Sequence, residues 1–239
     1  MSRTIAASGL LQDLWDEREA AALEQGETIA ATFDIGNPVD EASLAGVDVC
    51  IEFSTPQTVL QNIRIALGAK KDIVVGTTGW YDRLPEIRPL VKDSGLLYSP
   101  NFSIGVNMMF RLVAAATEMM NNAPGYDPWI HEWHHRQKAD SPSGTALKLA
   151  EILLAKMERK KKLETARVDG KIDPAALHVS STRVGTVPGT HIVGFESEAD
   201  SIEIKHVAKS RRGFALGAVR AAQWLKGKKG VYTMDDVEL

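Results

Sequence analysis

The chain has 239 residues, a formal charge of −3 at neutral pH and 44% hydrophobic residues. That length supports one large or two modest domains with real cores, and the slightly acidic balance argues against a nucleic-acid partner. No apolar run approaches the about 20 residues of a membrane span, no secretory leader opens the chain, and a lone cysteine, Cys50, forms no internal disulfide, so a cytoplasmic protein with no membrane partner is expected.

Residues 3–7 read as a short first strand, with Gly9 beginning its turn. Residues 10–25 read as a helix, with Leu10, Leu11, Leu14, Trp15 and Leu23 among charges and Gly26 as its stop. Residues 28–33 form a short β-rich run ending at Asp34. The apolar run 47–53 holds Cys50, whose surroundings favour a core thiol over a nucleophile. It leads through Ser54-Thr55-Pro56 into a helix over 57–68, Pro56 suiting the first turn. A strand over 72–75 stops at Gly76-Thr77-Thr78-Gly79. A helix over 84–92 precedes a strand over 96–98, which ends in Ser99-Pro100-Asn101-Phe102. This alternation predicts a parallel sheet with helices on both faces.

After residue 104 the pattern changes. A Met- and Ala-rich helix spans 107–122 and another spans 145–159. Strand-like segments follow at 177–183, 191–196 and 201–208, with Gly185, Pro188 and Gly189 in the turn before the second. The expected fold class is α/β: a Rossmann-like parallel-sheet domain plus an α+β domain with a mostly antiparallel sheet. A last helix over 214–225 is placed to pack back on the first domain.

Ligands of doubly wound sheets bind at the carboxyl ends of the strands. Those ends carry Asp34, Ser54-Thr55, Gly76 to Gly79 and Ser99 to Phe102. Any one loop of this kind is an ordinary turn; four together point to a nucleotide. The acidic Asp34 stands where an adenine ribose is held. The G-x-G-x-x-G fingerprint after the first strand is missing: Leu10, Leu11 and Asp13 follow Gly9, and Asp13 would repel a phosphate.

The densest chemistry lies in residues 132–146, which hold Glu132, His134, His135, Lys138, Asp140 and Ser143-Gly144-Thr145. Two readings are open. His131-Glu132-Trp133-His134-His135 matches H-E-x-x-H, the zinc-protease pattern, which requires a helix through His135. Trp129, Ile130, Trp133 and the histidines are mediocre helix formers. If residues 129–135 are a strand instead, His134 and His135 face opposite ways, and Ser143 opens a helix whose N-terminus suits a carboxylate. A histidine near its ordinary pKa moves protons, and Lys138 donates one or holds an oxyanion. The ordinary alternative, a solvated loop and a serine cap, is disfavoured by the density of these groups.

Residues 132–146 also resemble, at every fixed position, the E-x-H-H-x-x-K-x-D-x-P-S-G-T-A signature of the 4-hydroxy-tetrahydrodipicolinate reductase (dihydrodipicolinate reductase) family. Phe53 to Pro56, Val75 to Gly79, Asn101 to Asn107, and Arg183 through Gly185, Gly189, His191, His206 and Arg212 to Phe214 look like its other blocks, in order. The resemblance covers roughly residues 28–239. It implies a dinucleotide-binding domain of residues 1–104 and 212–239, and a substrate-binding and tetramerisation domain of residues 105–211. The implied reaction reduces a cyclic imine dicarboxylate with NADH or NADPH in diaminopimelate and lysine biosynthesis, without a metal.

On the family pattern His134 is the proton donor or acceptor and Lys138 a second donor. His135, Ser143, Gly144 and Thr145 hold the substrate's carboxylates. Gly76, Thr77, Thr78, Ser99, Pro100, Asn101 and Phe102 line the nicotinamide side, and Asp34 takes the adenine ribose. Asp34 suits a free 2′-hydroxyl, which implies NADH at least as readily as NADPH. The family's glycine-rich loop has no counterpart in residues 1–27, so the alternatives are a catalytically silent member and the zinc hydrolase built on His131, Glu132 and His135.

Overall fold

The computed structural model describes residues 3–9 as backbone, and residues 22–34 and 36–238 in full. Most of the helix expected over 10–25, including Asp13 and the site of the missing glycine loop, lies outside the described residues, as does Ile35; residues 22–24 are helical and Gly26 follows at φ 75°. The chain divides into two compact units, Met1–Ile104 with Arg211–Leu239, and Gly105–Ser210.

Among the described residues the first unit carries six strands: β1 (Arg3–Gly9), β2 (Glu27–Phe33), β3 (Val49–Phe53), β4 (Asp72–Val75), β5 (Gly95–Tyr98) and, last in the chain, β11 (Gly230–Tyr232). They lie in the order β11-β5-β4-β3-β1-β2, and every pairing is parallel. The order reverses at β1, with β2 on one side and β3 on the other, which defines the topological switch point of a doubly wound sheet.

The central strands read VCIEF and DIVV, nearly continuous apolar runs, because both of their faces are covered. Val49, Ile51 and Val74 pack on one side with Ala218, Ala222 and Leu225 of the C-terminal helix α5 (Arg212–Leu225). Cys50, Ile73 and Val75 pack on the other with Leu60 and Ile63 of α1 (Val59–Gly68). Cys50 is a core residue, its thiol pushed up to about 12 by burial. The helix expected over 84–92 is one turn, α2 (Leu84–Ile87), followed by a 3-10 turn at Arg88–Leu90. Pro89 has no N–H with which to continue it.

The second unit carries α3 (Ile104–Asn121), β6 (Asp127–His134), α4 (Gly144–Lys156), β7 (Lys162–Glu164), β8 (Ala176–Arg183), β9 (Thr190–Glu196) and β10 (Ser201–Val207). Its sheet has the order β10-β9-β6-β8-β7. The antiparallel pattern expected over 177–208 holds for β9 with β10, but not for β8: β6 inserts between β8 and β9, antiparallel to β9, and β8 runs parallel to both β6 and β7. Ile130, Val179, Val193 and Phe195 meet Leu149 and Leu153 of α4 and Met109 and Val113 of α3 in one core. Trp129 occupies the opposite face, over Gly194, where a Cβ would fall 2.2 Å from its ring. Glycine is thus the residue that fits beneath the indole.

Candidate active site

Along β6 burial alternates strictly, with Pro128, Ile130, Glu132 and His134 pointing toward the core face. The first two positions are apolar. The last two carry a carboxylate and an imidazole into the end of the same face. Glu132 is fully buried and His134 is 7% exposed. A buried charge survives only where neighbours compensate it, and Glu132 is surrounded by donors. Its Oε1 accepts from the Ser143 N–H at 2.9 Å, the Ser181 hydroxyl at 2.9 Å and Arg183 Nη2 at 2.8 Å. Its Oε2 lies 3.3 Å from His134 Nδ1 and 3.4 Å from His191 Nε2. Burial alone would raise this carboxyl, but the nearby His191 imidazole and the bonds from Ser143 and Arg183 outweigh that and hold it well below the usual carboxylate range.

His191 stands opposite Glu132 on β9, and its ring meets that of His134 edge-on at 5.0 Å. Burial lowers His134 to about 4; Glu132 opposes the shift, while His191, Lys138 and Arg183 add to it. At neutral pH His134 is therefore an uncharged imidazole inside a largely cationic ring of neighbours. Its Nε2 lies beside Gly189, where a Cβ would come within 3.0 Å.

The turn after β6 carries the remaining predicted groups. Val184 N–H donates to His134 O at 2.9 Å, Arg136 N–H to Gly185 O at 3.3 Å and Lys138 N–H to His135 O at 3.1 Å. These bonds hold half-buried His135 and Lys138 close to the end of the strand. Lys138 Nζ is 2.7 Å from Asp140 Oδ1. Burial tends to raise Asp140, but Lys138 and the Gly144 N–H keep its carboxyl below the ordinary value. Ser143 caps α4, its hydroxyl accepting from Ala146 N–H at 3.2 Å and facing His191 Nε2 at 3.1 Å. With its N–H on Glu132 as well, Ser143 belongs to the framework. Gly144 is exposed and Thr145 half-buried at the helix start.

The zinc pattern is overturned. Residues 131–134 are strand, so His131 and Glu132 face opposite ways. His131 pairs with the Ser180 hydroxyl at 2.6 Å, and His135 lies beyond the strand. The strand instead gathers Glu132, His134 and His191, with one ligating atom each within 4.8 Å of one another. Arg183 and Lys138 face this group with positive charge, which opposes a dication and favours acid–base chemistry.

In the first unit the parallel strands end in the expected loops. Asp34 is exposed, and its Oδ1 accepts from Gly36 N–H at 2.7 Å and Asn37 N–H at 2.8 Å. Gly76 lies against Phe53, whose ring a Cβ would meet at 2.2 Å. Buried Trp80 donates its indole N–H to Thr77 O at 2.8 Å, fixing the turn through exposed Thr78, and Thr77 Oγ1 is buried without a partner. The Ser99 hydroxyl donates to Asn101 O at 2.9 Å and Asn101 Oδ1 accepts from Ser103 N–H at 2.9 Å, while Phe102 is buried beside Phe53 at 5.6 Å and Pro100 is exposed. Gly217 of α5 lets that helix approach Phe102 O, 1.6 Å from where a Cβ would sit.

Sequence reasoning passed over Ser181, Arg183 and His191 as site groups, and weighed Glu132 only as a zinc-site base. Strand alternation, which pairs Glu132 with His134, could have found the second role. Ser181, Arg183 and His191 come from other strands, and only register brings them in.

A doubly wound parallel sheet with ligand-type loops, joined in one chain to a mixed sheet that buries an imidazole–carboxylate cluster beside a helix start, has the parts of a two-domain dinucleotide-dependent oxidoreductase. Models of the dihydrodipicolinate reductase N-terminus and C-terminus match residues 14–102 and 105–237. The 4-hydroxy-tetrahydrodipicolinate reductase of Christiangramia forsetii is 45% identical over 193 residues, 80% of this chain and 79% of the relative. That of Neisseria gonorrhoeae is 36% identical over 227 residues, 92% and 83% of the two chains. The solved structure of dipicolinate-bound dihydrodipicolinate reductase from Paenisporosarcina sp. TG-14 shares the fold, with a TM-score of 0.79 over 98% of each chain at 22% identity. The chain belongs to the dihydrodipicolinate reductase family, NAD(P)H-dependent oxidoreductases of diaminopimelate and lysine biosynthesis. The comparisons support neither the zinc-hydrolase nor the silent-member alternative.

Proposed function

We propose that the second unit binds and protonates the cyclic imine dicarboxylate derived from 4-hydroxy-tetrahydrodipicolinate while the first holds the dinucleotide; loss of the 4-hydroxyl as water and addition of one hydride and one proton give tetrahydrodipicolinate. The observation that carries this reading is the buried His134–Glu132–His191 cluster at the foot of α4. His135, Lys138 and the helix start at Gly144 and Thr145 receive the substrate's carboxylates, where a cation and a helix N-terminus both favour negative charge. Ser143 holds that turn in place. His134 starts neutral and gains its proton as the dianionic substrate offsets the cations around it. It then passes that proton to the ring, with Lys138 as a second donor.

The loops of the first unit fit a nicotinamide dinucleotide. Gly76 keeps the chain low over Phe53, and the buried Thr77 hydroxyl awaits an acceptor. When bound, the reduced nicotinamide supplies the hydride. Gly76 to Thr78 and Ser99 to Phe102 would line its side, and Asp34 would receive the adenine ribose. A carboxylate there accepts from a 2′-hydroxyl and repels a 2′-phosphate, so NADH serves at least as readily as NADPH. A homotetramer in the cytoplasm completes the reading, supported by β10, an edge strand with Ile202 and Val207 exposed.

Turnover followed by nicotinamide absorbance tests the assignment. His134→Gln is expected to lower kcat by about 100-fold or more and to leave NADH affinity within twofold of the parent. Full activity in that variant would refute the role given to His134.

A further inference from the structure

The two oxygens of Glu132 have different surroundings. Oε1 takes three donors, from Ser143, Ser181 and Arg183. Oε2 is buried and has no hydrogen-bond partner, and neither has His134 Nδ1, 3.3 Å away. An unpaired acceptor next to an unpaired ring nitrogen is costly as it stands and is relieved by a proton on that nitrogen. His191 meets the same oxygen from β9 with Nε2 at 3.4 Å. The two rings meet edge-on with centroids 5.0 Å apart, so Oε2 is flanked by both imidazoles.

We propose that Glu132 is the positioning residue of the reduction: its Oε2 holds His134 with Nδ1 protonated and Nε2 as the exchanging nitrogen, and it stabilises the proton that His134 takes up when a dicarboxylate binds. This rests on the proton-transfer role given to His134. The charged and titratable groups around His134 are Glu132 on the same strand, His191 from β9, Arg183 from β8 and Lys138 from the following turn, with Asp140 on Lys138. His206 on β10 stands in register beside His191. Of those acting on His134, only Glu132 favours its protonated form. Without that charge the remaining neighbours all disfavour the proton.

The tests use the full chain. Pyridine-2,6-dicarboxylate is titrated by calorimetry in buffers of different ionisation heat. The parent is expected to take up about one proton per site, Glu132→Gln close to none while still binding, and Glu132→Asp most of it. The pH limb of kcat that His134→Gln abolishes is expected to move to lower pH in Glu132→Gln and back in Glu132→Asp, a shift that a purely structural defect does not produce. Ring ¹⁵N shifts of the parent should show His134 protonated at Nδ1 and bare at Nε2, which decides the matter even if Glu132→Gln does not fold. The Nε2–H tautomer, unchanged proton uptake in Glu132→Gln, or stoichiometric metal in the isolated protein would overturn the proposal. If His134→Gln keeps full rate, the underlying assignment of His134 fails. If it loses rate while Glu132→Gln keeps both rate and uptake, only the role of Glu132 fails.

Discussion

Arg183 Nη2 and Glu132 Oε1 are joined at 2.8 Å from neighbouring parallel strands, and the same guanidinium nitrogen also donates to the carbonyl of Asp140. One cation thus ties the buried carboxylate to the turn that carries Lys138. Replacing Arg183 by Met leaves Glu132 buried with one compensating charge fewer. The expected loss is about 3 kcal/mol of stability, read by denaturant unfolding of the parent and variant at pH 7. A loss below about 0.5 kcal/mol, the range of ordinary surface changes, would show that the pair is not needed to keep that charge buried.

The pH dependence of stability has a definite sign. His134 drops from 6.5 to about 4 on folding, so between those values the unfolded chain binds more protons than the folded one. Its contribution is complete above 6.5 and is lost as pH falls through 4. Glu132, also held low, adds a loss further into acid. Unfolding midpoints measured from pH 7 down to pH 4 are expected to fall steadily, and His134→Gln should flatten that slope. Equal slopes in the two proteins would count against the buried neutral imidazole.

Gly189 keeps space beside Nε2 of His134, the nitrogen to which the proposed proton transfer is assigned. A methyl at this position stands 3.0 Å from Nε2 and forces the ring or the strand to give by a few tenths of an ångström. Gly189→Ala is expected to lower kcat by about tenfold and to leave KM for the dinucleotide unchanged. Normalising the rate to the concentration of dinucleotide-binding sites distinguishes this from a general folding defect, which would lower the active fraction and the unfolding midpoint but leave the rate per binding-competent site unchanged.

Asp34 spends Oδ1 on the N–H groups of Gly36 and Asn37. Asp34→Asn preserves an oxygen for that turn and removes the charge that repels a 2′-phosphate. The ratio of kcat/KM for NADPH over NADH is expected to rise by about tenfold, on the scale of one lost charge repulsion. An unchanged ratio would place the ribose elsewhere.

Much of the fold was legible along the chain, because burial follows local periodicity. The run through Cys50 and the DIVV segment are apolar throughout since both of their faces are covered. Pro89 shows how a single residue cuts a helix that apolar spacing would continue. The short edge strands β7 and β11 were not legible; each has only three residues, too few to show a period, and β11 pairs with β5 from the far end of the chain.

The site divides in the same way. That His134, His135, Lys138 and the Ser143 cap lie within fifteen residues was legible in the sequence alone, since groups so close along a chain cannot be far apart in the fold. Which histidine meets Glu132 was decided by the strand geometry of β6, which sends His131 to the opposite face. The partners that make the carboxylate tolerable came only with the tertiary structure. Ser181 and Arg183 arrive by parallel register from β8, and His191 by antiparallel register from β9. The physical reason is that a buried charge must be compensated in three dimensions, and those compensating groups lie 49, 51 and 59 positions further along the chain, as their residue numbers give.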